Sequence, residues 1–582
     1  MSAIERLHNR IDLANIPFTD RGTRLLLFLR NNEIAVRLAE RWAKWERQVG
    51  HYRQRPPIVE RLTIRNSEGA SYTLTSDTYP HAAGLVSDIG RFEWIFVDPE
   101  TLMLRLPEGR FTLSGIIHAE NGSVDRRGAT LRGKRNVAYT TNAPIESNML
   151  TRINEDLFEM SLTVNAAADQ VFLLNITPRL AYNRAITHPD SVREQARQRW
   201  QEWFDAAPPV LEPYRDQYEY ALWVMRAGLL NTRYFFTREA CVPSKIHYVG
   251  VWHWDQFFHA IAYRHLNARL AEDQIRIVLD HQREDGMLPD AIHDEGLVTH
   301  LTTPVDEDVT KPPLAAWTAL KLYEKSGNLD FLQEIYEPLC RWHDWWVTHS
   351  RSDGFLCEYR HPFSSGLDDS PLWDEGMPVV APDLNTYLCL QCESLAHIAE
   401  LIGLPDEAQS WRGEAGEFAD AIYATLWDEE KGVFNALHLG QPVPVLTLFH
   451  LLPLWVGRWS EAMVSRLVDH LQNPALFWSA YPLPTVALND PKFDPKQMWR
   501  GPTWVNINYL FIEALMRVGR VELARELRRK TLNLIMQHHD IYEYYDPITA
   551  ERPPKAAPIF GWTSAVFIDL AIQETLDRRG GS

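Results

Sequence analysis

The sequence predicts a mainly α-helical protein: an α/α toroid over residues 210–582, preceded by a β-sandwich-like domain over 1–190 and a helical linker at 191–209. Three observations predict this. Residues from about 60 to 178 read as short β-favouring runs punctuated by turns. Beyond 191, apolar residues recur at helical spacing in run after run. At 582 residues the chain exceeds one ordinary compact core, so more than one domain is expected.

The β-rich part is carried by Tyr72-Thr73-Leu74-Thr75, Phe92-Glu93-Trp94-Ile95-Phe96-Val97, Leu102-Met103-Leu104-Arg105-Leu106, Phe111-Thr112-Leu113, Met160-Ser161-Leu162-Thr163-Val164 and Val171-Phe172-Leu173-Leu174. Pro107-Glu108-Gly109 and Asn121-Gly122-Ser123 supply turns between them. This spacing suits an antiparallel sandwich. Residues 33–50 have helical periodicity and are expected to form a helix lying on that domain. The linker helix at 191–204 is stopped by Pro208-Pro209.

Helical runs then follow near 210–232, 254–265, 268–282, 312–326, 328–349, 383–402, 404–426, 446–457, 459–472, 501–518, 520–538 and 562–577. Short connections alternate with long ones, as antiparallel helix pairs require. Six such pairs close into a ring, with the long loops gathered around one cleft. The sequence shows no fixed-period repeat, which disfavours a solenoid.

Composition narrows the function. The net charge of −18 argues against nucleic acid or anionic membrane as the main partner. The first ten residues are charged and lack an apolar signal core, and no stretch approaches the roughly 20 apolar residues of a membrane span. Five thinly spread cysteines argue against a disulfide framework and for a reducing cytoplasm. Cys389-x-x-Cys392 has no second pair and lies in an apolar helical run, so these cysteines are expected in the core.

Two loop segments bear acids suited to chemistry: Ser364-Ser365-Gly366-Leu367-Asp368-Asp369-Ser370-Pro371 and Tyr542-Glu543-Tyr544-Tyr545-Asp546-Pro547. Glycosidic bond hydrolysis uses two carboxyl groups, one protonated and one ionised. Gly366 permits an unusual backbone angle, and Asp369 beside Asp368 favours one raised pKa. Read alone, each acid is equally a surface turn residue or a solvated strand end. Aromatic loops add a second signal. In Trp252-His253-Trp254-Asp255-Gln256 the indoles offer sugar-stacking faces, while Asp255 and Gln256 offer hydroxyl partners. Gln282, at the end of a helix before Gly286 and Pro289, and Thr310-Lys311-Pro312-Pro313 read foremost as helix punctuation. Trp499-Arg500-Gly501-Pro502-Thr503-Trp504 suits a cation at a cleft wall. Phe560-Gly561-Trp562 reads as the cap of the last helix.

Taken together and in order, these pieces resemble glycoside hydrolase family 63 and the related trehalases. The matching text is Trp252-His253-Trp254-Asp255, Pro312-Pro313, Ser365-Gly366-Leu367-Asp368-Asp369-Ser370-Pro371, Trp499-Arg500-Gly501-Pro502-Thr503-Trp504 and Glu543-Tyr544-Tyr545-Asp546-Pro547, spread over about 210–582. The resemblance implies an (α/α)6 barrel that hydrolyses α-glycosides with inversion, without metal or cofactor. It places the general acid at Asp368 and the general base at Glu543, with Asp369 as the fallback acid. It implies a sugar site lined by Trp254, Asp255, Trp499 and Arg500. Trp252, Gln256, Gln282, Gly366, Gly501, Trp504 and Tyr544 complete the candidate substrate-binding set. Two departures stand out: Lys311 where a Gln is expected before the paired prolines, and Leu372 where a basic residue is common.

The expected partner is a small carbohydrate, an α-glucoside or α-linked oligosaccharide. Glucosylglycerate, mannosylglycerate and trehalose are the alternatives within the resemblance. The absence of Lys or Arg between Asp368 and Arg412 argues mildly against an anionic aglycone, mildly because Arg500 or Lys311 could serve as its cation. A phosphorylase or a non-catalytic glycan-binding protein are the competing classes. The former needs clustered cations or a Gly/Ser-rich phosphate loop, and neither is found. Oligomeric state is not readable from the sequence.

Overall fold

The computed structural model describes residues 1–41 and 56–580. The chain divides into two compact units. One comprises Met1–Ala207, Leu222–Asn231 and Lys245–Val249; the other comprises Pro208–Ala221, Thr232–Ser244 and Gly250–Ser582.

The first unit is built on two antiparallel sheets. The six-stranded sheet runs in the order Leu25–Arg30, Glu33–Leu38, Val59–Arg65, Gly109–His118, Leu157–Ala166, Ile145–Arg152. The eight-stranded sheet runs Thr75–Tyr79, Ala82–Ser87, Gly90–Asp98, Thr101–Arg105, Val171–Thr177, Asn136–Thr141, Gly128–Arg132, Asn121–Asp125. Phe92 and Phe111, one from each sheet, meet edge to face at 5.2 Å. Helix Pro189–Asp205 lays Val192 and Ala196 on Ala82, Ile95, Met103, Val171 and Leu173 of the eight-stranded sheet. Strand Val171–Thr177 is buried along its whole length, which is why it opens with four apolar residues in a row, Val171–Leu174, rather than an alternating pattern.

Two expectations fail in this unit. Residues 33–38 form a strand, not the start of a helix. Asn31 and Asn32 both take positive φ, 51° and 62°, and fold Glu33–Leu38 back on Leu25–Arg30 as a tight hairpin. The later part of the expected helix, 42–50, lies outside the described residues. The strand expected at 72–75 begins at Thr75, because the Leu74 amide bonds the Asn32 side chain at 2.8 Å instead of a neighbouring strand.

In the second unit six inner elements pack in cyclic order: His253–Tyr263, Ala315–Ser326, Pro382–Leu401, Leu448–Val456, Val505–Arg517 and Gly561–Gly580, the last returning against the first. Helices His253–Tyr263, Pro382–Leu401, Val505–Arg517 and Gly561–Gly580 are buried nearly all round, as enclosed helices are. Ala268–Leu279, Leu329–His349, Pro405–Leu426, Glu461–Gln472 and Val521–Ile535 pack outside them and keep one polar face. The run expected as a helix at 446–457 is a 3-10 helix, with Pro453 inside it and no backbone donor at that point. Helix Ala315–Ser326 starts after the paired prolines, not at them. Cys389 and Cys392 are buried, as expected. The Cys389 thiol donates to the Ala415 carbonyl at 3.3 Å.

No helix among the described residues is long and apolar enough to cross a membrane.

Candidate active site

The loop bearing Asp368 is tightly specified. His361 caps the 3-10 turn Pro362–Ser365, and Gly366 follows with φ 73°. The Ser365 hydroxyl donates to the Pro362 carbonyl at 2.5 Å and accepts the Leu367 amide at 2.9 Å. The Leu367 carbonyl accepts the Ser370 amide at 2.9 Å and the Trp373 indole N–H at 2.7 Å. Glycine is required at 366 twice over. Its backbone angle disfavours any side chain, and a Cβ would lie 2.4 Å from the Trp254 ring. The loop two residues before Asp368 is thereby packed on Trp254, in helix His253–Tyr263.

Asp369 and Arg500 lock this loop to the 497–504 segment. The Asp369 carboxylate accepts the Trp499 amide and the Gln497 side-chain N–H, both at 2.8 Å. Arg500 grips Asp374 with two bonds of 2.9 and 2.7 Å and donates to the Asp369 carbonyl at 3.2 Å. Both oxygens of Asp369 are used as acceptors, so it anchors the loop to the 497–504 segment. Gly501 lets the segment close on itself, since a Cβ there would lie 2.4 Å from the Asp494 carbonyl oxygen.

Glu543 lies at a bend between the isolated bridges of Tyr542 and Tyr545 and is 3% exposed. Its amide donates to the Ala557 carbonyl at 2.9 Å, and its carboxylate accepts the Ala557 amide at 3.0 Å. Tyr545 pairs with Thr503 in both directions, at 2.8 and 3.0 Å, which ties this stretch to the 497–504 segment. Asp546 caps its own turn through the amides of Ile548 and Thr549.

The indoles form one cluster. Trp499 and Trp504 stack at 3.7 Å with an interplanar angle of 4°. Trp504 meets Tyr544 at 4.6 Å, and Trp562 meets Trp254 and Trp504 edge-on at 5.3 and 5.5 Å. All four indoles are at most 3% exposed, so their faces are spent largely on one another and the cluster acts as a wall. Trp252 is more open and packs edge-on against His293 at 5.4 Å.

The electrostatics draw both acid segments into one neighbourhood. Burial pushes Asp368 up to about 7; the charges of Asp290 and Asp369 add to this, and the Lys311 ammonium opposes it. Burial also holds Asp255 well above the ordinary carboxylate range, with Lys311 opposing and Glu543 and Asp290 reinforcing. Tyr544 is raised first by burial and then by Glu543 and Asp369. Asp255 and Tyr544 therefore both feel the charge of Glu543, and Tyr544 and Asp368 both feel Asp369.

Two expected contact residues belong to the framework instead. The Gln256 amide donates to the Cys241 carbonyl at 2.6 Å. Gln282 donates to the Gly286 and Pro338 carbonyls, both at 2.8 Å, and accepts from Arg341. Conversely, Asp290 is not among the sequence candidates, and Lys311 stands there as part of a helix-start motif, as a departure from the family's Gln and as a cation that could serve an anionic aglycone; the two are buried and bonded to each other. The signal that could have found them is two opposite charges in loops rich in Pro and Gly. As a possible metal group, the described residues offer His343, Cys392 and Glu414, with ligand atoms within 4.8 Å of one another. His343 and Glu414 already share a hydrogen bond of 3.1 Å there.

Relatives of known activity put this arrangement in the glycoside hydrolase class. Residues 248–563 match the model described as the mannosylglycerate hydrolase MGH1-like glycoside hydrolase domain, and the chain belongs to that family, within glycoside hydrolase family 63. It is 25% identical over 403 residues to mannosylglycerate hydrolase MGH1 of Selaginella moellendorffii, covering 56% of this chain and 81% of that one. It is 27% identical over 421 residues to the mannosylglycerate hydrolase of Thermus thermophilus, covering 58% and 97%. A bacterial glucoamylase solved with acarbose shares the fold over 97% of this chain and 95% of its own, with a TM-score of 0.60 at 11% identity.

Proposed function

We propose that this chain is an inverting α-glycoside hydrolase acting on a small neutral α-glucoside or α-linked oligosaccharide. Asp368 is its general acid and Glu543 its general base, within an (α/α)6 toroid whose ring is supported by the cyclic packing of the inner elements. The observation that supports the reading best is that the loops bearing the buried Asp368 and Glu543 are both bonded to the 497–504 segment; burial pushes Asp368 up to about 7.

Asp368 delivers its proton to the glycosidic oxygen as the bond breaks and positive charge grows on the sugar ring. Glu543 takes a proton from the water attacking the opposite face. Inversion needs the two carboxyl groups about 6.5–9.5 Å apart, leaving room for that water. Asp255, at the first turn of its helix, is placed to bind sugar hydroxyls; the Trp254 and Trp499 cluster shapes the wall.

The curated relatives raise a second reading, hydrolysis of a glycosylglycerate. An anionic aglycone calls for an available cation. Here Lys311 is paired with Asp290 and Arg500 with Asp374, which favours a neutral substrate. The experiment is turnover by Asp368→Asn and Glu543→Gln against a panel of α-linked disaccharides and glycosylglycerates. Each variant is expected to lose about 10²–10⁴-fold in kcat. A variant that keeps most of its turnover removes the role assigned to that residue.

A further inference from the structure

Lys311 is the junction of three segments. Its ammonium donates to Asp290 and to the Phe363 carbonyl in the loop that carries Asp368. The neighbouring Thr310 amide bonds the Ser364 hydroxyl at 3.2 Å, a second tie to the same loop. Asp290 in turn is fixed to the helix that carries Trp254 and Asp255. The His253 amide donates to the Asp290 carbonyl at 3.3 Å, and the His253 ring bonds the Pro289 carbonyl at 2.7 Å. Lys311 and Asp290 are only 4% and 3% exposed. The pair is thus shut away from solvent, where removing one partner leaves the other as an uncompensated buried charge.

We propose that the Lys311–Asp290 pair is a positioning clamp: it holds the Asp368 loop against the start of helix His253–Tyr263 and keeps one positive charge under the acid cluster. This rests on the reading of Asp368 as the general acid. A Lys stands where the family resemblance calls for Gln, and the buried Asp290 is the partner that makes a charge tolerable there. The groups facing Asp368 are Lys311, Asp290 and Asp369. Those facing Lys311 are Asp290, Asp255, Asp368, His253 and His361. Of these, Lys311 is the cation that favours the ionised form of Asp368; both histidines are held neutral by burial, at about 3 and about 4. Neither Lys311 nor Asp290 is assigned contact with the substrate.

The test compares Lys311→Gln and the double variant Lys311→Gln/Asp290→Asn with the wild type by two readouts. Amide hydrogen exchange of residues 362–370 reports the clamp without any substrate. In Lys311→Gln it is expected to quicken about tenfold, because the loop loses its tether and Asp290 is left uncompensated. The pH profile of kcat/KM reports the charge. Loss of the cation raises the proton affinity of Asp368, so the alkaline limb of Lys311→Gln is expected to move up by roughly one pH unit. The double variant removes one raising and one lowering charge together, so the alkaline limb is expected to return toward the wild type, while exchange stays quickened because the tie to the Phe363 carbonyl is still missing. Unchanged exchange overturns the clamp, and an unmoved limb overturns the charge it is said to place under Asp368. If the wild type hydrolyses no glycoside in the panel, the proposed function fails, while the exchange readout still decides whether Lys311 tethers the loop.

Discussion

At the scale of residues, the account turns on one proton. In the proposed mechanism Asp368 serves as an acid only while protonated, and burial pushes its pKa up to about 7, far above the ordinary Asp range. The donor is loaded below that value and lost above it. The rate kcat/KM is therefore predicted to fall about tenfold per unit once pH rises beyond about 7. A pH–rate profile checks this, and an activity plateau through pH 9 contradicts it. Part of this site was legible in the sequence. Gly366 two residues before Asp368 announced a sharp turn, and the neighbouring Asp369 announced one of the smaller charges that raise Asp368, but not the burial that raises it most. What stayed hidden was which of the two is free: only the bonds from Trp499 and Gln497 show Asp369 to be the anchor. Gln256 and Gln282 were equally opaque, since an amide satisfies a sugar hydroxyl or a backbone carbonyl with the same chemistry.

At the scale of elements, helical periodicity located each of the runs that became the inner and outer helices, because burial imposes the period directly. It misread 33–38. Six residues cannot distinguish a strand from helix turns, and the deciding signal was the Asn31-Asn32 turn just before them. The ends of the helices carry a feature that pattern reading did not reveal. Asp569, buried in helix Gly561–Gly580, accepts Arg264 at 2.8 Å, His265 at 2.7 Å, the Tyr509 hydroxyl at 2.8 Å and Gln573 at 2.7 Å. These donors bring together the end of helix His253–Tyr263 and helix Val505–Arg517, neighbours of Gly561–Gly580 in the cycle. Although burial opposes ionisation, the charges of Arg264, His265 and Lys321 and the His265 bond hold Asp569 far below the ordinary range. Removing it strands a buried guanidinium. Asp569→Ala is predicted to cost about 3–5 kcal/mol in urea unfolding. The sign with pH follows from the depressed pKa: this contribution is present above the unfolded Asp value near 4 and is lost as pH falls below it. A loss below 1 kcal/mol would contradict the hub.

At the scale of the whole molecule, sequence grammar separated a β-rich region from a helical one, because alternating and helical periods are different signals over long stretches. It could not supply the strand order of the two sheets, in which neighbours such as Val59–Arg65 and Gly109–His118 lie far apart in the chain. Nor could it show the ties that join the loops bearing Asp368 and Glu543 to one segment, 497–504, which depend on tertiary packing. The central claim is that these two carboxyl groups work on opposite faces of one sugar. The most direct test is proton NMR of the first-formed product from an α-glycoside, recorded before mutarotation. The account predicts the β-anomer; an α-anomer, released with retention, would contradict it.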